Sequence, residues 1–354
     1  MDPIRDIVDG PFGSCENVGA TEHEAGHAVL RPVIRSRYST ARMKKEGEVE
    51  RTNVGWNSSG SVVVIIPCHD EEATIGTVVT DFARTLPGAR IVVVDNASKD
   101  GTARVAAAAG ARVMFEPRLG KGFAVLCGLR SEHAADYFLI VDGDDTYPAE
   151  RAPDLIAAAA SGADMVIGAR HVDADEGAFR PGHSFGNQLF VWLVRLLFGL
   201  RTRDLLSGYR VLTRRFLESA PLIAKGFEVE AELSLQAKVQ ELPVTEVSVS
   251  YRPRRAGSDS KLRTFRDGYQ VLIAIITFFR DYRPIAFFGT LSILLMLGSV
   301  AGVLYAAFRS DAHGPLAAFS IALLILSALS LTCGVILSSI NRRAAEIAAR
   351  ITWR

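Results

Sequence analysis

The sequence carries no surplus of either charge: 40 lysines and arginines face 39 aspartates and glutamates, a net +1. No global field therefore points to nucleic acid as a partner. No G-x-G-x-x-G follows the first apolar run, which disfavours a dinucleotide dehydrogenase, and no G-x-x-x-x-G-K-[ST] phosphate loop is present. Cysteine is sparse. Cys15, Cys68, Cys127 and Cys333 lie far apart without a C-x-x-C, so neither a zinc site nor a disulfide framework is expected. That pattern fits a reducing compartment. The acidic, polar start lacks an n-region and an h-region, so no signal peptide is expected.

What the chain does have is apolar residues, 49% of its 354, and their excess collects at the C-terminus. Ile285 to Phe308 and Leu316 to Ile340 carry no charge over lengths that span a bilayer as helices. The short polar stretch between them predicts a helical hairpin. Arg280 and Arg283 precede it and Arg342, Arg343 and Arg350 follow it, while its loop holds only Arg309. The positive-inside rule then places both ends in the cytoplasm. Gly298 and Gly302 form a G-x-x-x-G, consistent with helix packing within the hairpin or between copies.

Residues 1–59 show no sustained periodicity and predict a flexible extension. Its His23-Glu24-Ala25-Gly26-His27 matches the H-E-x-x-H of zinc proteases, but Gly26 weakens a helix that has little to bury. Met43 is an alternative start, because the Lys-Lys-Glu after it opens like a mature N-terminus.

From Ser61 the pattern sharpens. Val62 to Ile66 is a β-branched run ended by Pro67, suited to a strand covered on both faces. A helix follows over 73–86, then a strand over 90–94, an alanine-rich helix to Ala109, a strand over 112–115, a helix to Arg130, and strands over 137–141 and 164–168. Alternation of this kind predicts an α/β domain with a mostly parallel sheet and helices on both faces. Ligands bind such sheets beyond the strands' carboxyl ends. Asp70, Glu71, Asp95, Lys121, Asp142, Asp144 and Arg170 all follow strands and would share that edge. In Leu139-Ile140-Val141-Asp142-Gly143-Asp144, a buried strand runs into two spaced carboxylates. Such a pair suits Mg²⁺ or Mn²⁺, whose shell is completed by substrate phosphates and water. Lys121, in Gly120-Lys121-Gly122, suits a phosphate contact or a solvated turn.

Four stretches in this order and spacing, Pro67-Cys68-His69-Asp70-Glu71-Glu72, Val94 to Thr102, Gly120-Lys121-Gly122 and Asp142-Gly143-Asp144, resemble family 2 glycosyltransferases of the GT-A fold. Further on, Arg180-x-x-x-Ser184-Phe185-Gly186-Asn187, Asp204 to Arg210, Gly226-Phe227-Glu228-Val229-Glu230 and Ser260-Lys261-Leu262 are similar to the polyprenyl-phosphate branch of that family. The resemblance covers about residues 61–340. It implies that Pro67, Glu71 and Asp95 line the nucleotide pocket, with Lys121, Asp142 and Lys261 on the donor phosphates. It places Asp142 and Asp144 on the divalent metal, and Arg170, Arg180 and Ser184 on the lipid phosphate. Asp204 matches a carboxylate that serves as a base or, in our reading, orients an arginine or the sugar; with Arg170 and Arg180 it completes the expected catalytic set. Three positions depart from the family: Asp70 replaces asparagine, Asn96-Ala97 replaces Asp-Gly, and Thr146 replaces a metal-binding glutamine.

The implied reaction is inverting transfer of a hexose from a nucleotide sugar, UDP-glucose before GDP-mannose, to a polyprenyl phosphate at the cytoplasmic face of a bacterial inner or plasma membrane. Arg252, Arg254, Arg255 and Arg263 would support Lys261 at the leaving group. Glu228, Glu230 and Glu232 suit contact with sugar hydroxyls or a solvated face. Phe185 to Leu200 and Tyr269 to Phe279 are expected at the membrane interface, because basic residues flank them, with a core helix of the domain as the alternative for each. The expected layout is a catalytic domain over 60–263, an amphipathic juxtamembrane segment over 264–284, two transmembrane helices over 285–340, and a cytoplasmic tail over 341–354. A homo-oligomer is compatible with this layout. The alternatives are a polysaccharide-extending family 2 enzyme, which the absence of Q-x-x-R-W disfavours, and a non-catalytic membrane scaffold.

Overall fold

A computed structural model describes residues 16–17, 60–132, 134–171, 181–254, 264–308 and 314–352. The H-E-x-x-H, Met43, Arg180, Arg255, Lys261 and Arg263 lie outside the described residues.

Eight strands form one sheet: β1 (Glu16–Asn17), β2 (Val62–Cys68), β3 (Arg90–Asp95), β4 (Arg112–Phe115), β5 (Tyr137–Ile140), β6 (Met165–His171), β7 (Arg210–Thr213) and β8 (Val244–Ser250). The spatial order is β1-β4-β3-β2-β5-β7-β6-β8. β2 pairs in parallel with β3 and β5, as do β3 with β4 and β6 with β8. β7 runs antiparallel between β5 and β6, and β1 antiparallel beside β4. The expected mostly parallel sheet is present. β7, β8 and β1 carry no signal that the sequence pattern revealed; β1 is only two residues long and lies within the stretch read as an extension. β2 continues through Pro67 to Cys68 rather than stopping at the proline. All seven of its residues are buried, as a strand covered on both faces requires.

The helices of the domain are α1 (Ile75–Thr85), α2 (Thr102–Ala108), α3 (Lys121–Ser131), α4 (Ala152–Ala160), α5 (Pro181–Phe198), α6 (Arg214–Ser219), α7 (Val229–Val239) and α8 (Thr264–Tyr282). One apolar core joins Val64 and Ile66 to Phe82 of α1 and Ile156 of α4. A second joins Val63 and Ile65 to Val125 of α3 and Leu233 of α7 on the opposite sheet face. A third joins Val194 of α5, Leu235 of α7 and Ile275 of α8. α5 and α8 therefore bury one face in the domain. Their outer faces expose Leu189, Trp192 and Leu196, and Tyr269, Ile273 and Ile276.

Two further helices, α9 (Pro284–Phe308) and α10 (Pro315–Thr352), are long and apolar enough to cross a membrane. Only 17% of each apolar window is buried. They pack antiparallel through hydroxyls: Ser292 and Ser327 hydrogen-bond at 3.0 Å, Ser299 donates to the Ser320 carbonyl at 2.7 Å, and Ser330 donates to the Phe288 carbonyl at 2.9 Å. Both glycines of the G-x-x-x-G face α10. A Cβ on Gly302 would overlap Ser320, and one on Gly298 would touch Leu323. The motif thus serves the hairpin itself. Cys68 and Cys333 are free, whereas Cys127 is disulfide-bonded. Sequence spacing reveals only local cysteine pairs, so that bond was not anticipated.

Candidate active site

β2, β3, β5, β6 and β8 all point the same way, so their carboxyl ends share one edge. Glu71, Asp95, Asp142, Asp144 and Arg170 meet there, as the alternation predicted.

Asp142 and Asp144 follow β5. Thr74 of the α1 N-terminus donates to the Gly143 carbonyl at 2.7 Å, pinning the turn. Thr146 is fully buried, and its hydroxyl donates to Asp144 Oδ1 at 2.6 Å. It thereby orients Asp144, where the family's glutamine would act on the metal. Arg254 donates to the other oxygen, Asp144 Oδ2, at 2.7 Å. A backbone bond from Arg252 N to the Thr146 carbonyl, 2.9 Å, lays that segment beside the turn. Burial, and then the neighbouring Asp142 charge, push the Asp144 carboxyl above its ordinary range.

Lys121 is no solvated turn lysine. Its Nζ lies 2.5 Å from both Asp142 Oδ1 and Glu230 Oε1. Burial alone would lower its pKa, yet the Asp142 and Glu230 carboxylates hold it above the ordinary lysine value. Burial raises the Glu230 carboxyl and the Lys121 charge opposes that rise. The three glutamates are not a solvated face either. Glu232 accepts the amides of Ile223 and Ala224, and Glu228 those of Lys225 and Gly226. This holds the 223–226 loop over the start of α3. The Gly120 amide goes to Asn96 Oδ1, the Gly122 amide to the Gly226 carbonyl and the Phe123 amide to the Lys225 carbonyl. Those backbone donors are spent internally, and Lys121 faces the site through its side chain.

Two of the departures from the family sit in left-handed backbone. Asp70 and Ala97 have φ of 53° and 56°. That left-handed region favours Asn and Gly. Asp70 Oδ1 accepts the Lys99 amide at 2.7 Å. Asn96 donates to the carbonyls of Glu116 and Arg118, tying the ends of β3 and β4 together. Asp95 is buried, with Oδ1 on the Ser98 amide at 3.0 Å. Glu71 is buried near Thr74, and Pro67 lies opposite Val94 in the sheet.

Arg170, at the end of β6, grips Asp204 with two bonds of 2.6 and 2.7 Å, and its guanidinium lies 5.4 Å from the Tyr251 ring. Burial would lower the Arg170 pKa; Tyr147 and Asp204 hold it raised. Asp204 thus orients an arginine. Ser184 lies in the first turn of α5. The turn after Asp204 is built around Arg210, which is almost wholly buried and donates to the carbonyls of Leu205 and Ser207 and to Ser234 Oγ. Ser207 donates to the Gly168 carbonyl at 2.6 Å. The Gly208 amide donates to Tyr147 Oη at 3.0 Å, and its bare Cα makes room for the Asp142 carboxylate. Glu230, Arg254, Gly208 and Arg210 were visible in the sequence only as motif letters or basic neighbours without these roles.

The carboxylate pair fits a hard divalent cation. Two protein cations, Lys121 and Arg254, already lie against oxygens that such an ion would use. No third His, Cys, Asp or Glu joins the pair among the described residues. The remaining ligands would come from phosphate and water.

Residues 63–218 match the model of Glycosyl transferase family 2. Glycosyltransferase AglJ of Haloferax volcanii is 31% identical over 280 residues, covering 78% of this chain and 92% of its own. The chain belongs to glycosyl transferase family 2. It is a glycosyltransferase, and the resemblance to the polyprenyl-phosphate branch is borne out. Dolichyl-phosphate hexose transferase of the same organism is 31% identical over 217 residues, 61% of this chain and 92% of its own. Among solved structures, glucosyl-3-phosphoglycerate synthase from Mycobacterium tuberculosis, in complex with Mn²⁺ and UDP, has a TM-score of 0.52 at 24% identity. It covers 62% of this chain and 80% of its own, and supports the GT-A fold alone.

Proposed function

We propose that this glycosyltransferase moves a hexose from a nucleotide sugar to a polyprenyl phosphate at the cytoplasmic face of a membrane, with inversion. One observation carries the reading. The Asp142/Asp144 pair and the half-buried Arg170 share a strand edge in a domain joined directly to the α9/α10 hairpin.

A phosphate oxygen of the acceptor attacks the anomeric carbon. The new bond from that carbon to the lipid phosphate forms as its bond to the nucleoside diphosphate breaks. Attack opposite the leaving group inverts the centre. The acceptor phosphate is already ionised near neutral pH, so no strong base is needed, and Asp204 is free to aim Arg170. Arginine suits phosphate because its planar fork donates twice. Asp142 and Asp144 would hold Mg²⁺ or Mn²⁺, whose positive charge would stabilise the departing diphosphate. Pro67, Glu71 and Asp95 line the nucleotide side, and Lys121 holds Asp142 in place. Lys261, Arg180 and Ser184 are proposed for the phosphates by family resemblance.

The membrane reading has three supports. The hairpin is apolar and mostly exposed. Its base is fastened to α8: Asn341 donates to the Asp281 carbonyl, and the Phe279 and Phe287 rings meet at 5.9 Å. The exposed apolar face of α5 lies beside Arg195, Arg201 and Arg203, suited to a headgroup layer, and α8 exposes Tyr269, Ile273 and Ile276. We place UDP-glucose first among donors because the two-helix anchor resembles the bacterial undecaprenyl-phosphate enzymes, with GDP-mannose next.

A donor panel tests this, using purified protein, Mg²⁺ or Mn²⁺ and a short polyprenyl phosphate, with nucleotide release followed. Transfer is expected, with loss in Asp142→Ala and on adding EDTA. Absence of transfer from every donor overturns the reading. Full activity in Asp142→Ala or with EDTA overturns the cation's part in it.

A further inference from the structure

The two carboxylates of the Asp142-Gly143-Asp144 turn are each met by a protein cation, and the two cations are anchored differently. Lys121 is shared with Glu230, which is buried on α7, so a second carboxylate holds it beside Asp142. Arg254 reaches Asp144 from the irregular chain beyond β8, with a side chain 32% exposed against 4% for its partner. Thr146 occupies Asp144 Oδ1, and Arg254 occupies Oδ2. Both oxygens of Asp144 therefore accept from the protein itself. A cation entering at Oδ2 has to take the place of a guanidinium.

We propose that Arg254 is a positioning residue that keeps a lone divalent cation off Asp144 and yields the carboxylate when a diphosphate arrives to accept it. The inference rests on the cation reading above. Around the turn, Asp142, Asp144, Glu230 and the nearby Glu71 face Lys121 and Arg254. The two protein cations offset two of those charges, so a bare dication gains less there than the carboxylates alone would give it. A cation that arrives with a diphosphate brings its own counter-charge. It also offers Arg254 phosphate oxygens, which the guanidinium can grip with paired donors as it grips the carboxylate. Cation and nucleotide then favour each other's binding by the same factor, since coupling of this kind is reciprocal. The arrangement makes Arg254 an obstacle to the metal alone and an aid to the metal with its nucleotide.

The test is Mn²⁺ binding to the full chain in detergent micelles, read from the loss of the free-ion EPR signal. It is run alone and with saturating UDP or GDP, in the wild type, Arg254→Gln, Arg254→Lys and Asp142→Asn. Removing a partly screened charge pair is expected to tighten Mn²⁺ alone about tenfold in Arg254→Gln. The gain in Mn²⁺ affinity that nucleotide gives the wild type is expected to shrink in that variant. Arg254→Lys keeps the charge without the fork, so it should still exclude lone Mn²⁺ while losing part of the nucleotide coupling. Equal affinity for lone Mn²⁺ in the wild type and Arg254→Gln overturns the inference alone, as does tightened lone binding in Arg254→Lys. A wild type that takes up no more Mn²⁺ than Asp142→Asn, with either nucleotide present, overturns the cation reading beneath it.

Discussion

The Asp142 carboxylate rests on the bare Cα of Gly208. A Cβ built there would lie 2.7 Å from Asp142 Cγ, closer than side chains approach. The Gly208 amide is held by Tyr147 Oη, so the backbone has little room to withdraw. Gly208→Ala should push Asp142 off its position while the cores on either sheet face stay intact. A displacement of this kind costs about a hundredfold in turnover. Steady-state kinetics should show that loss with the thermal unfolding midpoint nearly unchanged. Wild-type kcat in Gly208→Ala would refute the role given to this contact.

The Lys121–Glu230 pair should be costly to break from one side. Lys121→Met leaves Glu230 buried without its counter-charge, a change worth about 3–5 kcal/mol in comparable pairs. Glu230→Gln should cost less, and the double variant should recover much of the stability without recovering transfer. The pH dependence has a definite sign. Glu230 has a raised pKa in the folded protein and an ordinary value of 4.5. A raised group contributes stability below its unfolded pKa and loses it as pH rises through the folded one. Lys121→Met removes the influence that opposes the rise. Its deficit should therefore be largest near neutral pH and narrow on acidification toward the ordinary carboxylate range. Denaturant unfolding at several pH values in micelles measures this.

Asp204→Asn distinguishes an orienting carboxylate from a base. Because Asp204 is bonded twice to Arg170, its loss should loosen the arginine and raise the acceptor KM by about tenfold. The acidic limb of the kcat profile should stay where it is. Loss of that limb in Asp204→Asn would mark Asp204 as a proton acceptor instead.

The hairpin should depend on small residues within one chain. Gly302→Leu places a branched side chain where Ser320 already sits. It should separate α9 from α10 and lower the thermal midpoint in detergent. Ser292→Ala with Ser327→Ala removes two hydrogen bonds between the helices, each worth about 0.6 kcal/mol on average in such helices. Crosslinking should show no change in oligomer distribution for Gly302→Leu; a shift would assign the glycines to an interface between copies.

Much of this protein was legible from its sequence, for reasons that are local. The apolar run at Val62 to Ile66, the alternation of strand and helix that follows, and the two long uncharged segments each carry their signal within one element. Polar residues placed just after parallel strands fall on one edge by topology, so Asp95, Asp142 and Arg170 could be grouped without coordinates. Tertiary structure alone decided which groups touch. Lys121 and Glu230 are separated by α4, α5 and much of the sheet in sequence, yet share one buried contact. Arg254 meets Asp144 because β8 comes back alongside β6. β7 and β8 escaped notice because one is short and the other shows a mostly exposed pattern of residues. The amphipathic helices α5 and α8 divide their faces between a core and an exposed surface, a division that basic flanks cannot reveal. Sequence pattern determined the fold and the chemistry available at its edge. Burial and long-range packing determined the charge on each group there and which partner holds it.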